Sequence, residues 1–179
     1  MTRAFVAVVP PEPVLDALER ATAGVDATRV RQTTRAQWHL TLQFLGDVAD
    51  LDAVAGALAP LSVPAGSVRL GGAGAFPKVR RAQVLWVGAA EGDAYLATLA
   101  GEVAARLAPL GFDAEDRRYH AHLTLGRTRT PTDLRAVVEQ LEACELGPAW
   151  TVREVVVYES RLLRSGAEYV PRAVVTLPT

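Results

Sequence analysis

The chain has 179 residues, a length that fits one domain or two small lobes. Half of the residues are apolar and 22% are charged, which provides a substantial core and excludes a disordered or collagen-like chain. The formal net charge of -1 excludes a globally basic surface, so a polyanionic partner would have to bind a local patch.

The cysteine content and the hydropathy of the chain indicate where in the cell the protein is located. Cys144 is the only cysteine, which excludes an intrachain disulfide and favours a reducing compartment. The apolar run over residues 4–9 is short for the core of a secretory signal and stops at two prolines. No stretch approaches the roughly 20 apolar residues of a membrane span. We therefore expect a soluble, cytoplasmic protein.

Short strand patterns and helical patterns alternate along the chain. Strands are predicted at 3–9, 38–46, 67–76, 83–87, 120–127, 151–162 and 168–177. Helices are predicted at 11–25, at 50–61 with Asp50 as N-cap, at 93–110 with Gly111 closing it, and at 132–146. A turn through Ser165 and Gly166 joins the last two strands. The order is too irregular for a doubly wound sheet, so we predict an α+β fold with antiparallel pairing.

An internal repeat is the most informative feature. The tetrapeptide His-Leu-Thr-Leu begins at His39 and again at His122, 83 residues later. A second motif, Asp-Leu-x-Ala-Val, begins eleven residues after each histidine, so both motifs share one register. This match indicates a duplication. We predict a single domain over 1–179 made of two similar lobes, about 1–90 and 91–179, related by a pseudo-two-fold axis.

Each repeat presents one histidine and one threonine on the same face of a strand. Side chains alternate along a strand, so His39 lies beside Thr41 and His122 beside Thr124, while the intervening leucines face a core. A pseudo-two-fold would bring both polar faces to one groove. Imidazole has an ordinary pKa of about 6.5, so one ring can act as general base and the other as general acid. The threonine hydroxyls can stabilise phosphoryl oxygens. These four catalytic candidates predict phosphodiester cleavage, and the residues alone leave open which histidine is the acid.

A zinc site and a purely structural role are the alternatives for the histidines. His120, His122 and His39 offer three nitrogens, but zinc usually also requires carboxylate or cysteine ligands or a tight three-histidine cluster. We therefore expect no metal and no cofactor. A lone histidine in a strand is often a packing or surface residue, and the duplicated His-x-Thr pattern argues against this.

The duplicated motif resembles that of the 2H phosphoesterase superfamily, and more narrowly that of the bacterial and archaeal RNA 2′,3′-cyclic phosphodiesterases, also called 2′-5′ RNA ligases. The likeness extends over nearly the whole chain, in the segments RAFVAVVPP, WHLTLQFLGDV, GAFPKVRRAQVLWVG, HAHLTLGR and VVVYESRLLRSGAEYV. It implies a bilobal 2H phosphoesterase fold in which antiparallel sheets line a central cleft and helices lie outside.

The same resemblance implies a reaction. RNA 2′,3′-cyclic phosphate ends would be hydrolysed to 2′-phosphates, with His39 protonating the 3′ oxygen and His122 activating water, and with ATP-independent 2′-5′ ligation in reverse. The resemblance also implies RNA as the binding partner. We expect the protein to be a monomer that binds neither a membrane nor another protein. A small nucleotide cyclic phosphate as substrate is one alternative. An RNA-end binding module without turnover is another, although binding alone would not require two matched proton carriers.

Aromatic and basic residues near the motifs are candidates for substrate binding. An aromatic ring can stack on a base and an arginine can hold a phosphate. The main candidates are Phe76, Arg81, His120 and Arg127. Further candidates are Lys78, Arg80 and Arg161. Arg127 lies at an odd offset from His122, so strand alternation would turn it away from the cleft unless a bulge intervenes.

Overall fold

An antiparallel sheet organises the computed structural model, which describes residues 2–164 and 166–179. The strands over these residues are β1 (Thr2–Val8), β2 (Arg31–Gln32), β3 (Leu40–Val48), β4 (Gly66–Phe76), β5 (Ala82–Glu91), β6 (Leu123–Thr132), β7 (Trp150–Val152), β8 (Glu154–Leu163) and β9 (Gly166–Thr176). The helices over the same residues are α1 (Glu12–Thr22), α2 (Leu51–Leu58), α3 (Asp93–Leu107) and α4 (Arg135–Glu142). The predicted α+β class with antiparallel pairing is confirmed.

Two helix-end predictions are confirmed by their local geometry. The Asp50 side chain accepts hydrogen bonds from the backbone N–H groups of Asp52 and Ala53, at 2.9 and 3.0 Å, and so caps α2. After α3 a short 3-10 turn, Ala108–Leu110, ends at Gly111 with φ of 86°. This left-handed conformation favours glycine, which explains why the helical segment stops there.

Several predicted boundaries differ from the structure. The strand predicted at 120–127 begins at Leu123 and continues to Thr132, because β6 pairs with β5 as far as the partners Ala82 and Thr132. The helix predicted at 132–146 is therefore shorter and begins at Arg135. The two-residue strand β2 was not predicted, since a segment this short carries no periodicity. Of the predicted turn between the last strands, Ser165 lies outside the described residues.

The strand order shows how the two repeats combine. Over the described residues the sheet runs β7-β4-β5-β6-β3-β1-β8-β9, with β2 beside β6. β3 and β6 carry the repeated motifs and are neighbours at the centre, where Leu40 pairs with Leu123. On one side of them follow β1 and β8, and on the other side β5 and β4. β4 therefore pairs with a strand from later in the chain and β8 with the first strand. One half of the sheet thus combines β1 and β3 with β8 and β9, and the other half combines β4 and β5 with β6 and β7, so each half takes strands from both of the segments 1–90 and 91–179.

The leucines of both motifs anchor the central strands in the core. Leu40 and Leu123 are completely buried, and Leu42 and Leu125 are nearly so. Fully burying a leucine contributes about 1.5–3 kcal/mol, so these side chains fix which face of each strand points away from the core. Among the described residues, no helix is both long and apolar enough to cross a membrane.

Candidate active site

The two histidine motifs meet in one cleft. His39 immediately precedes β3 and His122 immediately precedes β6, so the central pairing of these strands brings the two motifs side by side. Both histidines, together with Thr41 and Thr124, line a cleft of ≈ 780 Å³. This volume lies within the range of small-molecule sites, about 300–1,000 Å³. The structure thus brings together the four residues that the sequence singles out as catalytic candidates.

Both imidazoles are held by the same local contact. Nδ1 of His39 lies 2.7 Å from the Gln37 carbonyl oxygen, and Nδ1 of His122 lies 2.8 Å from the His120 carbonyl oxygen. A carbonyl oxygen only accepts hydrogen bonds, so Nδ1 carries the hydrogen in each ring. The neutral rings therefore keep an unprotonated Nε2, and each ring can take or give a proton at that atom.

His39 is enclosed by aromatic rings. Phe5 stacks on it with ring centroids 4.6 Å apart, and Tyr169 contacts it edge-on at 5.2 Å. Burial, and to a smaller extent the neighbouring charge of His122, lower the pKa of His39 to about 4, although the hydrogen bond to Gln37 raises it. His39 is therefore neutral near pH 7 in the free protein.

His122 has a more polar environment. Phe76 contacts it edge-on at 5.1 Å, and the exposed His120 ring lies 6.1 Å away. Burial lowers the pKa of His122, and the charges of His120 and Arg117 act in the same direction. The hydrogen bond to the His120 carbonyl and the charge of Glu115 oppose this shift. Both imidazolium forms are therefore disfavoured in the free protein.

The two threonines are fixed by reciprocal contacts between the repeats. The Tyr119 hydroxyl donates to the Thr41 carbonyl oxygen at 3.0 Å, and the Thr33 hydroxyl donates to the Thr124 carbonyl oxygen at 2.8 Å. Each donor comes from the repeat opposite to the strand that it holds. Within the part of the chain that the structure describes, the Thr41 and Thr124 hydroxyls make no protein hydrogen bond, so they are available to a ligand in the cleft.

The substrate-binding candidates divide into two groups. Phe76, His120 and Arg127 line the cleft. Arg81 lies exposed in the 3-10 turn Val79–Arg81 and is not among the lining residues. Lys78, Arg80 and Arg161 are likewise outside the lining, and Arg161 pairs instead with Glu159 at 2.9 Å.

A bulge places Arg127 in the cleft. Thr124 pairs with Trp86 but Gly126 pairs with Leu85, so β6 advances two residues where β5 advances one. The extra residue reverses the alternation of side chains beyond it. Arg127 therefore reaches the same cleft as His122, which simple alternation would not allow.

The first repeat has a matching bulge that sequence reasoning missed. In β3, Thr41 pairs with Ala7 and Gln43 with Val6, again two residues against one. Phe44 thereby reaches the cleft, where it is 56% exposed. Phe44 and Arg127 both stand five residues after a motif histidine, and this shared offset could have identified Phe44 from the sequence.

The arrangement of metal-ligating residues agrees poorly with a zinc site. Among residues 2–164 and 166–179, no group of three histidine, cysteine, aspartate or glutamate side chains is placed to hold a metal ion. The cleft instead offers imidazole rings, threonine hydroxyls, aromatic rings and the three arginines Arg117, Arg118 and Arg127. This combination suits an anionic ligand that carries a planar group.

Solved structures share this architecture. A phosphoesterase crystal structure superposes with a TM-score of 0.82 at 24% identity, covering 99% of both chains. E. coli LigT complexed with 3'-AMP gives a TM-score of 0.81 at 24% identity, also over 99% of both chains. TT0787 of Thermus thermophilus gives 0.78 at 28% identity over 98% of this chain and 97% of that one. The 2H phosphoesterase fold is thereby confirmed.

Sequence comparison identifies the family. The chain is 33% identical to an RNA 2′,3′-cyclic phosphodiesterase of Aeropyrum pernix over 137 residues, which cover 74% of this chain and 77% of the relative. It is 31% identical to the protein of the same name from Aquifex aeolicus, over 73% of this chain and 72% of the relative. The model of the 2'-5' RNA ligase superfamily matches residues 10–162. The chain therefore belongs to the 2′-5′ RNA ligase superfamily.

Proposed function

We propose that this protein hydrolyses RNA 2′,3′-cyclic phosphate ends to 2′-phosphomonoesters through His39 and His122. The RNA 2′,3′-cyclic phosphodiesterase activity rests on relatives of that name, at about 30% identity over most of the chain. The observation that carries the mechanism is the matched pair of imidazoles in one cleft, each with Nδ1 bound to a carbonyl and Nε2 left for proton transfer.

The chemical step requires one base and one acid. The base takes a proton from water at Nε2 as the water oxygen attacks phosphorus. The bond from phosphorus to the 3′ oxygen breaks, and the acid gives its Nε2 proton to that oxygen. Family resemblance makes His39 the acid and His122 the base. In sum, one water is consumed and one 2′-phosphomonoester is formed. The base, His122, is left protonated and the acid, His39, is left neutral.

Other cleft residues have complementary tasks in this proposal. The Thr41 and Thr124 hydroxyls donate to the non-bridging oxygens, where charge develops in the transition state. Arg127 attracts a phosphate, and its planar guanidinium can hold two oxygens at once. Phe44 and Phe76 offer ring surfaces to a nucleobase. The reverse reaction would join a cyclic end to a 5′-hydroxyl without ATP, and it becomes significant only at high concentrations of RNA ends.

The proposed enzyme acts alone on its RNA, as a cytoplasmic monomer. Cys144 is the only cysteine, which suits a reducing compartment.

The product of a defined substrate tests the proposed reaction. An oligoribonucleotide with a 2′,3′-cyclic phosphate end is incubated with the protein, and the new end is compared by chromatography with authentic 2′- and 3′-phosphates. We expect one product almost exclusively, because the cleft orients the ring between two different imidazoles, and family resemblance makes that product the 2′-phosphate. An equal mixture would contradict the orientation, and no hydrolysis would contradict the function. A mononucleotide 2′,3′-cyclic phosphate is assayed in parallel, so that its rate of hydrolysis can be compared with that of the RNA end.

Substitution of the threonines is expected to have a smaller effect than loss of a histidine. Thr41→Val and Thr124→Val each remove one hydroxyl and keep the side-chain shape. Each should lower kcat by about tenfold or more through loss of one donor to the phosphoryl group, with little change in the melting temperature. Steady-state kinetics on the cyclic-phosphate oligonucleotide measure this. Unchanged kcat in both variants would remove the threonines from the mechanism.

A further inference from the structure

The catalytic cleft continues beyond Phe44 along one face of α3. The α3 residues that line it are Ala97, Ala100, Gly101 and Ala104. None of them has a side chain longer than a methyl group, so this wall is smooth. We call the part of the cleft between this face and Gln43 the α3 slot.

Close helix packing does not account for the small residues of the α3 slot. Gly101 is exposed, and a Cβ atom added there would meet no other atom within 4 Å. Ala97 and Ala104 are also partly exposed. The small side chains therefore leave open space in the cleft instead of allowing another element to approach.

Gln43 supplies an independent observation at the same place. It lines the cleft but is only 6% exposed, and its Nε2 donates to the carbonyl oxygens of Phe112 and Asp113, at 3.1 and 3.2 Å. Two acceptors on one side fix the orientation of the amide, so the other atom must be the oxygen. Among the described residues this enclosed Oε1 has no hydrogen-bond partner. A buried acceptor without a donor is unfavourable and unusual in a folded protein.

We propose that the α3 slot takes the nucleobase of the terminal nucleotide and that Gln43 Oε1 accepts a hydrogen bond from its exocyclic amino group. This inference rests on the proposed function. Cytosine and adenine carry an amino group where uracil and hypoxanthine carry a carbonyl oxygen, which would face Oε1 as a second acceptor. The slot therefore selects cytosine over uracil and adenine over hypoxanthine. This contact requires Oε1, which is enclosed in the free protein, to become accessible to the base.

The α3 slot and the two motif histidines belong to the same cleft. Phe5 stacks on His39, and its ring centroid lies 6.2 Å from that of Phe44. Phe5 is buried, whereas His39, Phe44 and the α3 residues all line the same cleft. The phosphate would lie between the imidazoles while the base reaches past Phe44.

Binding of reaction products tests the selection without turnover. Calorimetric titration with 2′-CMP and 2′-UMP compares two bases that differ in the exocyclic group, amino or carbonyl, and in the hydrogen on the adjacent ring nitrogen. Titration with 2′-AMP and 2′-IMP repeats the comparison for purines. We expect about tenfold tighter binding of the amino-bearing member of each pair, since a site built around one acceptor disfavours a ligand without the donor. Gln43→Leu should bind both members of a pair equally.

A second variant tests the slot without disturbing Gln43. Gly101→Leu would fill the space and weaken binding of all four nucleotides by about tenfold or more. Gly56→Leu is the matched control, because Gly56 is an exposed glycine in α2 with no atom within 4 Å of an added Cβ and lies outside the cleft. It should bind the nucleotides as the unsubstituted protein does.

The outcomes separate this inference from the proposed function. Equal affinity of the unsubstituted protein for 2′-CMP and 2′-UMP would overturn the selection by Gln43, as would a preference that persists in Gln43→Leu. Equal nucleotide binding by Gly101→Leu and Gly56→Leu would overturn the placement of the base. Failure to hydrolyse any cyclic phosphate end would overturn the proposed function, whatever the nucleotides show.

Discussion

Replacing His39 or His122 by alanine is expected to lower kcat/KM for a cyclic-phosphate oligonucleotide by at least about 10²-fold. Each variant removes one of the two motif imidazoles from the cleft, and His120, whose ring centroid lies 6.1 Å from that of His122, belongs to neither His-x-Thr motif. The double variant should fall little further, because acid and base act as a unit in one step. Steady-state kinetics at a fixed pH measure all three variants.

Folding and ligand binding serve as controls for these variants. The melting temperature reports whether the aromatic surroundings of His39 survive its removal, since Phe5 and Tyr169 both contact that ring. Titration with 2′-AMP reports whether the cleft still takes a nucleotide. A folded single variant with near-normal kcat/KM would contradict the assignment of that histidine.

The pH dependence of kcat/KM is expected to be a bell displaced to the acid side. The proposed mechanism requires one neutral and one protonated imidazole in the free enzyme. Burial lowers the pKa of His39 to about 4 and also lowers the pKa of His122 from its ordinary 6.5. As pH rises through the pKa of His122 the last proton is lost, and kcat/KM should then fall about tenfold per pH unit. As pH falls through about 4, His39 is protonated as well and activity falls again.

The profile of kcat should differ from that of kcat/KM. A bound phosphodiester anion favours an imidazolium beside it, so it raises both pKa values. The alkaline limb of kcat should therefore lie at higher pH than the alkaline limb of kcat/KM. A kcat/KM optimum above pH 7 would contradict the burial that the structure gives to both rings.

The lowered pKa of His39 raises the question of which imidazole donates the proton to the leaving oxygen. Burial lowers the pKa of His39 to about 4 and so favours its neutral form in the free enzyme, whereas family resemblance makes His39 the donor. The pH profile depends only on how many protons the pair carries, so both assignments give the same bell. A substrate whose 3′ leaving oxygen is replaced by sulfur, which needs no proton to leave, resolves this. Under the family assignment, His39→Ala would lose far less activity than His122→Ala on that substrate.

Much of this site could be predicted because strand alternation is a strong local rule. In each motif the leucines are buried while the histidine and threonine face the cleft, as the pattern of the sequence requires. The duplication then indicated that the two polar faces form one site. Asp50 and Gly111 were equally predictable, since capping depends on residues close in sequence.

Features that depend on pairing between distant strands could not be predicted. The bulges that bring Phe44 and Arg127 into the cleft are defined by the pairing with β1 and β5, and in the sequence only the shared offset of five residues from the motif histidines points to them. The sheet places β4 and β5 beside the second motif strand, β6, and β8 and β9 beyond β1 on the side of the first motif strand, β3. The hydrophobic pattern within each strand does not indicate this order. Arg81 was a reasonable candidate by sequence proximity, but the turn at Val79–Arg81 places it outside the lining of the cleft.

Metal dependence tests the central claim, that two imidazoles carry out the proton transfers unaided, most directly. The protein is treated exhaustively with EDTA and assayed in metal-free buffer on the cyclic-phosphate oligonucleotide. We expect kcat/KM to be unchanged, because in the described part of the chain the cleft offers no set of three metal-ligating side chains. Activity that disappears on chelation and returns with zinc or magnesium would contradict the two-histidine mechanism.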